Sequence, residues 1–338
     1  MRVYEIQPGI ASLDALRRAE RPEPRPGPRD VLIRVRAAAL NRRDHSVIMG
    51  VYAGPPLQRP MIPLSDGAGE VIATGAEVRR FKTGDRVAGC FFQRWADGPF
   101  TAAVRGSELG AQNDGMLAEQ VVLNEDGVVA IPGHLSLEEA ATLPCAAVTA
   151  WHALFARGGL KPGETVLALG TGGVSVFGVQ LAKAAGARVI VTSSSDAKLE
   201  RARALGADGL VNYRTTPEWH TEVLRLTGGQ GVDQVLEVGG SATLPRAIEA
   251  LRLGGWIHQI GFVSGRDVTL NLPRFVAKDA TYRGVYVGSR AMFEAMNAAI
   301  AASRIKPVVD RVFGFDDARA AYEYQGSGAH FGKVVIAV

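Results

Sequence analysis

The sequence predicts an α/β fold, a doubly wound parallel sheet joined to a β-rich domain, and three observations predict it. Short β-branched runs with closely spaced turn signals fill residues 1 to about 130. From about residue 136 the texture changes to buried apolar strands alternating with amphipathic helices, the pattern of a parallel sheet covered on both faces. Between the first of these strands and its helix lies a glycine-rich turn, "GTGGVS", residues 170–175.

The elements follow in chain order. "RDVLIRVRAAAL", "GEVIATG", "GDRVAG" and "AEQVVLNEDGVVAIP" read as strands of the β-rich part. Ser136 and Glu139 form a capping-box signature ahead of an alanine-rich helix. "ETVLALG", "RVIVTS", "GLVNY", "VDQVLEV" and "GWIHQIGF" then read as strands, separated by the helices "VSVFGVQLAKAAG", "DAKLERARALG", "WHTEVLRLTG" and "ATLPRAIEALRLG". The tail alternates strand and helix once more and ends in an apolar strand. We place the domains at 1–146 with 289–338, and at 147–288.

With 338 residues, 47% hydrophobic and 21% charged, the chain can bury two sizeable cores. No run approaches the about 18 apolar residues of a membrane span, and the N-terminus has no apolar stretch, so we expect a cytoplasmic protein without a membrane partner. The net charge of +4 comes from scattered arginines, with no basic cluster carrying interleaved aromatics, which argues against nucleic acid. Cys90 and Cys145 are too few for a disulfide framework or a four-cysteine metal lobe.

The glycine-rich turn carries the first chemistry. Gly170, Thr171, Gly172, Gly173 and Val174 stand where a backbone can approach a pyrophosphate at a helix N-terminus, although Ser175 replaces the third glycine of the pattern. About 20 residues on, NAD-binding sites carry an acid for the adenosine ribose. Here "VIVTSSSDAK" offers Ser193, Ser194 and then Lys198. Hydroxyls can donate to a 2′-phosphate that a carboxylate would repel. With Ser195 as N-cap, Lys198 falls in the first helical turn, where a cation opposes the helix dipole unless an anion binds beside it. Lys198 either meets that anion or points into water. We expect NADP(H).

Together with "AKAAGARVIVTSSSDAKLERARALGAD", "VNYR", "GVDQVLEVGG" and the terminal "GKVVI", these residues resemble the medium-chain dehydrogenase/reductase family, in its zinc-independent quinone oxidoreductase-like branch. The resemblance covers essentially the whole chain. It implies a Rossmann-type cofactor domain and a GroES-like catalytic domain. It also implies that Lys198 and Tyr213 meet the 2′-phosphate end, and that Thr149, Val238, Gly261, Phe262 and Lys333 line the cofactor cleft. The family's zinc enzymes hold their catalytic metal with two cysteines and a His-Glu pair. At those positions this sequence has Asn41, Ser65, Asp66 and Cys145, a set poor in the nitrogen and sulfur ligands zinc favours, so no metal is expected.

Asn41 is then either a hydrogen-bond donor to substrate or a turn-forming amide, and Asp44 either part of the catalytic motif or an anchor for its arginine neighbours. Arg42 and Arg43 either face an anion or lie in a solvated loop. The aromatics of "CFFQRWADGPF" flank a pocket or a subunit contact. The reading that follows is NADPH-dependent reduction of a quinone or α,β-unsaturated carbonyl by a homodimer, which pairs the strand-like stretch 281–288 across a two-fold axis. Its rivals are an alcohol or aldehyde dehydrogenase of the same family, and a weakly catalytic NADPH-binding or RNA-binding protein.

Overall fold

A computed structural model describes residues 1–52 and 56–338. The chain forms two compact units, Met1–Val148 with Val287–Val338, and Thr149–Tyr286. Among the described residues no helix is long and apolar enough to cross a membrane.

In the first unit an antiparallel ladder dominates. Strand Asp30–Ala39 pairs with Asp66–Thr74 and Gln120–Asn124, and also with the C-terminal strand Lys333–Ala337. Arg86–Gly89 and Val128–Ala130 extend one side, and Val309–Phe313 extends the other in parallel with Lys333–Ala337. The period-two burial of Val31, Ile33 and Val35 explains the element: alternate side chains enter a core shared with Val71, Val87, Leu123, Val334 and Ile336. One consequence concerns the site. The pairing of Val335 with Ala39 brings the end of the chain to within hydrogen-bond reach of the helix start at Asn41. Arg2–Ile6 and Leu16–Glu20 form a separate antiparallel pair that the sequence reading did not anticipate. Their alternation is weak, because Leu16–Glu20 buries only its first residue.

The second unit is a six-stranded, all-parallel sheet ordered Gly209–Asn212, Arg188–Ser193, Thr165–Leu169, Val232–Glu237, Leu251–Gln259, Thr281–Gly284. By appearance in the chain this is 3-2-1-4-5-6, the Rossmann order, with its switch point between Thr165–Leu169 and Val232–Glu237. Thr165–Leu169 is buried along its length, as a central parallel strand must be. One helix ends earlier than its pattern suggested: Leu244–Ala250 stops before "LRLG", and Leu251 already belongs to the next strand. Gly254, at φ +70, fits that strand's irregular start and would weaken a helix.

Candidate functional site

Two groups of candidate residues emerge, one in each unit. In the second, Gly170 ends the central strand at φ +74, a conformation glycine adopts without strain, and its N–H reaches Thr192 O at 2.9 Å. Gly172 is the N-cap of helix Gly173–Ala184. A Cβ built at Gly170 or Gly172 would meet nothing within 4 Å, so the turn leaves open space in front of the helix's unpaired first-turn N–H groups. This is the cradle a pyrophosphate requires. Ser175 fits the third glycine position because it is buried and donates its hydroxyl to Leu169 O at 2.7 Å, tying helix to strand.

The next strand end supports the same site. Ser193 closes Arg188–Ser193, and its Oγ accepts the Ser195 N–H at 3.3 Å, which leaves the hydroxyl proton to donate. Ser195 is the N-cap of helix Asp196–Ala204, with Oγ accepting the Lys198 N–H at 3.4 Å. Lys198 therefore lies in the first turn, half-buried. Tyr213 is exposed, and its N–H donates to Ser193 O at 3.0 Å. Serines, lysine and tyrosine thus share one corner of the carboxyl edge of the sheet.

Val238, Gly261 and Phe262 sit together at the far side of the switch point: a Cβ on Gly261 would lie 2.6 Å from Val238 O, and Phe262 is exposed. Thr149, at the start of this unit, is buried. Glu237 was missed from the sequence. Fully buried at a strand end, its Oε1 accepts from Gly239 N, Gly240 N and the Thr243 hydroxyl at 2.7–3.0 Å, while burial raises its pKa. An acid directly before "VGG" was the available signal.

In the first unit, Asn41 caps helix Arg42–Ile48 and is itself held by Asp44, whose Oδ2 accepts the Asn41 N–H at 2.7 Å. Asp44 is buried and faces Arg43, with Nη1 3.6 Å from its Oδ1. Burial pushes its carboxyl up to about 6, against the pull of Arg43 and the Asn41 N–H. Arg43 does not lie in a solvated loop, and the anion it faces is Asp44. Its guanidinium stands 4.7 Å from the ring centres of Tyr52 and Phe91 and donates to Leu109 O at 2.8 Å. Arg42 is exposed. The aromatics of the 91–100 stretch turn on one another, Phe92 lying edge-on to Phe91, Trp95 and Phe100, with three of the four rings fully buried.

Ser65 and Asp66 are aimed by strain. Leu64 is held at φ +67, a conformation costing a leucine about 1–2 kcal/mol. The close packing of Gly110 and Gly115 against it, where a Cβ would fall 2.7 and 2.2 Å from Leu64 backbone atoms, leaves it no alternative. Asp66 is fully buried, accepting the Ser65 hydroxyl at 2.7 Å and the Cys145 N–H at 3.1 Å. Cys145 lies in a π-wound turn, Leu143–Ala147, and burial followed by the Asp66 charge drives its thiol well above the usual range. Lys333, expected against the cofactor, points inward instead. Its Nζ donates to Leu40 O and Asn41 Oδ1, both at 2.6 Å, and lies 3.8 Å from Asp66 Oδ2.

A catalytic zinc does not fit this group. Zinc favours thiolate and imidazole ligands, and of the four positions only Cys145 supplies either. The Asn41 oxygen and the Ser65 hydroxyl are committed to Lys333 and Asp66, and an ammonium already neutralises the Asp66 charge. Among the described residues no three His, Cys, Asp or Glu side chains converge as metal ligands. Asn41 Nδ2 makes no hydrogen bond of acceptable geometry, although it stands close enough to Asp66 to oppose the rise that burial causes there.

Comparison with known proteins agrees with this anatomy. Residues 27–133 match the family model described as alcohol dehydrogenase GroES-like domain, and residues 173–302 the model described as zinc-binding dehydrogenase. A zinc-type alcohol dehydrogenase-like protein of Schizosaccharomyces pombe is 46% identical, over 99% of both chains. The 2-methylene-furan-3-one reductase of Solanum lycopersicum is 31% identical, over 90% of this chain and 71% of that one. A solved NAD-dependent alcohol dehydrogenase superposes with a TM-score of 0.92 at 36% identity, covering all of both chains.

Proposed function

This chain belongs to the medium-chain dehydrogenase/reductase family of oxidoreductases, and on that premise we propose that it transfers hydride from NADPH to a quinone or α,β-unsaturated carbonyl without a catalytic zinc. The observation that carries the reading is Lys333, whose ammonium stands among the positions a metal would use and commits their oxygens. When bound, the reduced nicotinamide supplies a hydride. What the chain supplies is a donor. An acceptor reduced at carbon is left with an enolate or phenolate oxygen, which a preorganised N–H stabilises, and Asn41 Nδ2, which makes no hydrogen bond of good geometry within the cluster, is such a group. Oxidising an unactivated alcohol demands a Lewis acid or a base to take the hydroxyl proton. Asn41 offers neither.

Gly170, Thr171, Gly172, Gly173 and Val174 would hold the pyrophosphate, and Ser193, Ser194, Lys198 and Tyr213 the 2′-phosphate. The observation favouring NADP(H) is that a hydroxyl, Ser193, and not a carboxylate ends the second strand, with the cation Lys198 in the first turn of the next helix. The test is consumption of NADPH by metal-stripped protein with 1,2- and 1,4-quinones and simple enones. Inactivity toward all of them, with alcohol oxidation appearing on zinc addition, sinks the reading.

The outer strand Thr281–Gly284 presents an open edge with Tyr282 44% exposed, which supports a homodimer pairing this edge across a two-fold axis. Sedimentation of a monomer at micromolar concentration would overturn that.

A further inference from the structure

A carboxamide presents an acceptor on one side and two donors on the other, and half a turn exchanges them. Asn41 cannot make that turn. Lys333 Nζ lies 2.6 Å from its Oδ1, and reversing the amide would set NH2 against NH3+, donor against donor. The ammonium is fixed in turn by Leu40 O at 2.6 Å and by the Asp66 carboxylate 3.8 Å away. Asp66 is fixed by Ser65 and by the Cys145 N–H. From the backbone side, Asp44 clamps the Asn41 N–H. What remains is Nδ2, a buried donor that lies on the side of the Asp66 carboxylate without a hydrogen bond of good geometry. Asn41 is 8% exposed, against 1% for Asp44 and 0% for Asp66, and only Cys145 in the group is more open.

We propose that Lys333 is a positioning residue that makes Asn41 a one-way donor, so that the site holds an oxyanion, an enolate or phenolate oxygen, in preference to a hydroxyl. The inference rests on the reductase reading and specifies the ligand state that reading needs. A neutral hydroxyl must also turn its own proton away from Nδ2, and Asn41 Oδ1 already accepts from Lys333.

The test is an absorbance titration of 4-nitrophenol, whose phenol and phenolate forms have separate bands, with the NADP+-saturated protein. The phenolate should bind about tenfold tighter than the phenol, lowering the apparent pKa of the bound probe by about one unit. Asn41→Asp keeps an oxygen for Lys333 and removes the donor, and should reverse the preference. Lys333→Met alone leaves a buried unpaired carboxylate, so it is paired with Asp66→Asn. The double variant should lose the preference and about a hundredfold in kcat for acceptor reduction, with KM within about threefold. Lys333→Arg should restore part of both. A folded double variant that keeps the phenolate preference and kcat, or loses only KM, overturns the proposal. If the wild-type protein reduces no acceptor, the reductase reading falls, while the titration still decides whether Lys333 and Asn41 select an oxyanion.

Discussion

The glycine turn with its serine-lysine corner and the Asn41–Lys333 cluster are both polar, yet they are built on opposite principles. The first is made largely of backbone at the ends of parallel strands, with space left open in front of it. Its residues lie within a 44-residue span of the chain, 170–213. The second is made of side chains from residues 41, 65, 66, 145 and 333, packed until almost every polar atom is committed. An open, backbone-lined site can be altered without unfolding the protein. A closed cluster of paired charges cannot.

The largest expected effect breaks that comparison if it fails. Lys333→Met should destabilise the protein by about 3–5 kcal/mol in urea unfolding, because it strands Asp66 as a buried charge. Lys198→Met should cost a tenth of that at most, by the argument that surface substitutions are nearly neutral. Equal losses would mean the two regions are not different in kind.

The next effect is on binding. Gly172→Val introduces a side chain into empty space at an ordinary extended backbone geometry, so its melting temperature should stay within a few degrees of wild type. It should weaken NADPH by about a hundredfold, since the branched side chain takes the place of the pyrophosphate. Fluorescence titration with NADPH measures it. Unchanged affinity would remove the cofactor from this turn. A smaller and more selective effect follows for Lys198→Ala: NADPH binding should weaken about tenfold and become less salt-sensitive, with NADH unaffected. Equal loss of both cofactors would mean that Lys198 does not read the 2′-phosphate.

The same contrast governs how much the sequence disclosed. The turn and the N-cap Ser195 were legible because each depends on neighbours within a few residues, whereas the edge position of the strand near 281 came from the family resemblance. Asn41, Ser65, Asp66 and Cys145 could be recognised as the positions of a lost metal site only through a family resemblance. That Lys333 reaches Asn41 and Asp66 was not legible at all. It depends on the register that sets Val335 opposite Ala39, 296 residues away in the chain (335 − 39), and periodicity carries no information on such a pairing. Arg43 failed for a related reason. Its stacking partners, Tyr52 and Phe91, belong to different loops, and a sequence of two arginines before an acid reads equally well as solvated.

The smallest expected effect sharpens the comparison most, because it asks whether the closed cluster holds its charges comfortably. Asp44 has a folded-state pKa of about 6, above its unfolded value near 4, so the folded protein prefers the protonated form. Its contribution to stability is therefore fully present below about pH 4 and is lost as pH rises through about 6. Asp44→Asn keeps an oxygen for the Asn41 N–H and abolishes the titration. Relative to wild type, the variant should gain about 2 kcal/mol between pH 4 and 6 and level off by about pH 7, measured by urea unfolding across that range. A gap that stays flat would show Asp44 already ionised at pH 4. In that case the guanidinium of Arg43, wedged between two aromatic rings and 3.6 Å from the carboxylate, outweighs the cost of burial. The cluster would then be as electrostatically settled as the open site in the other unit.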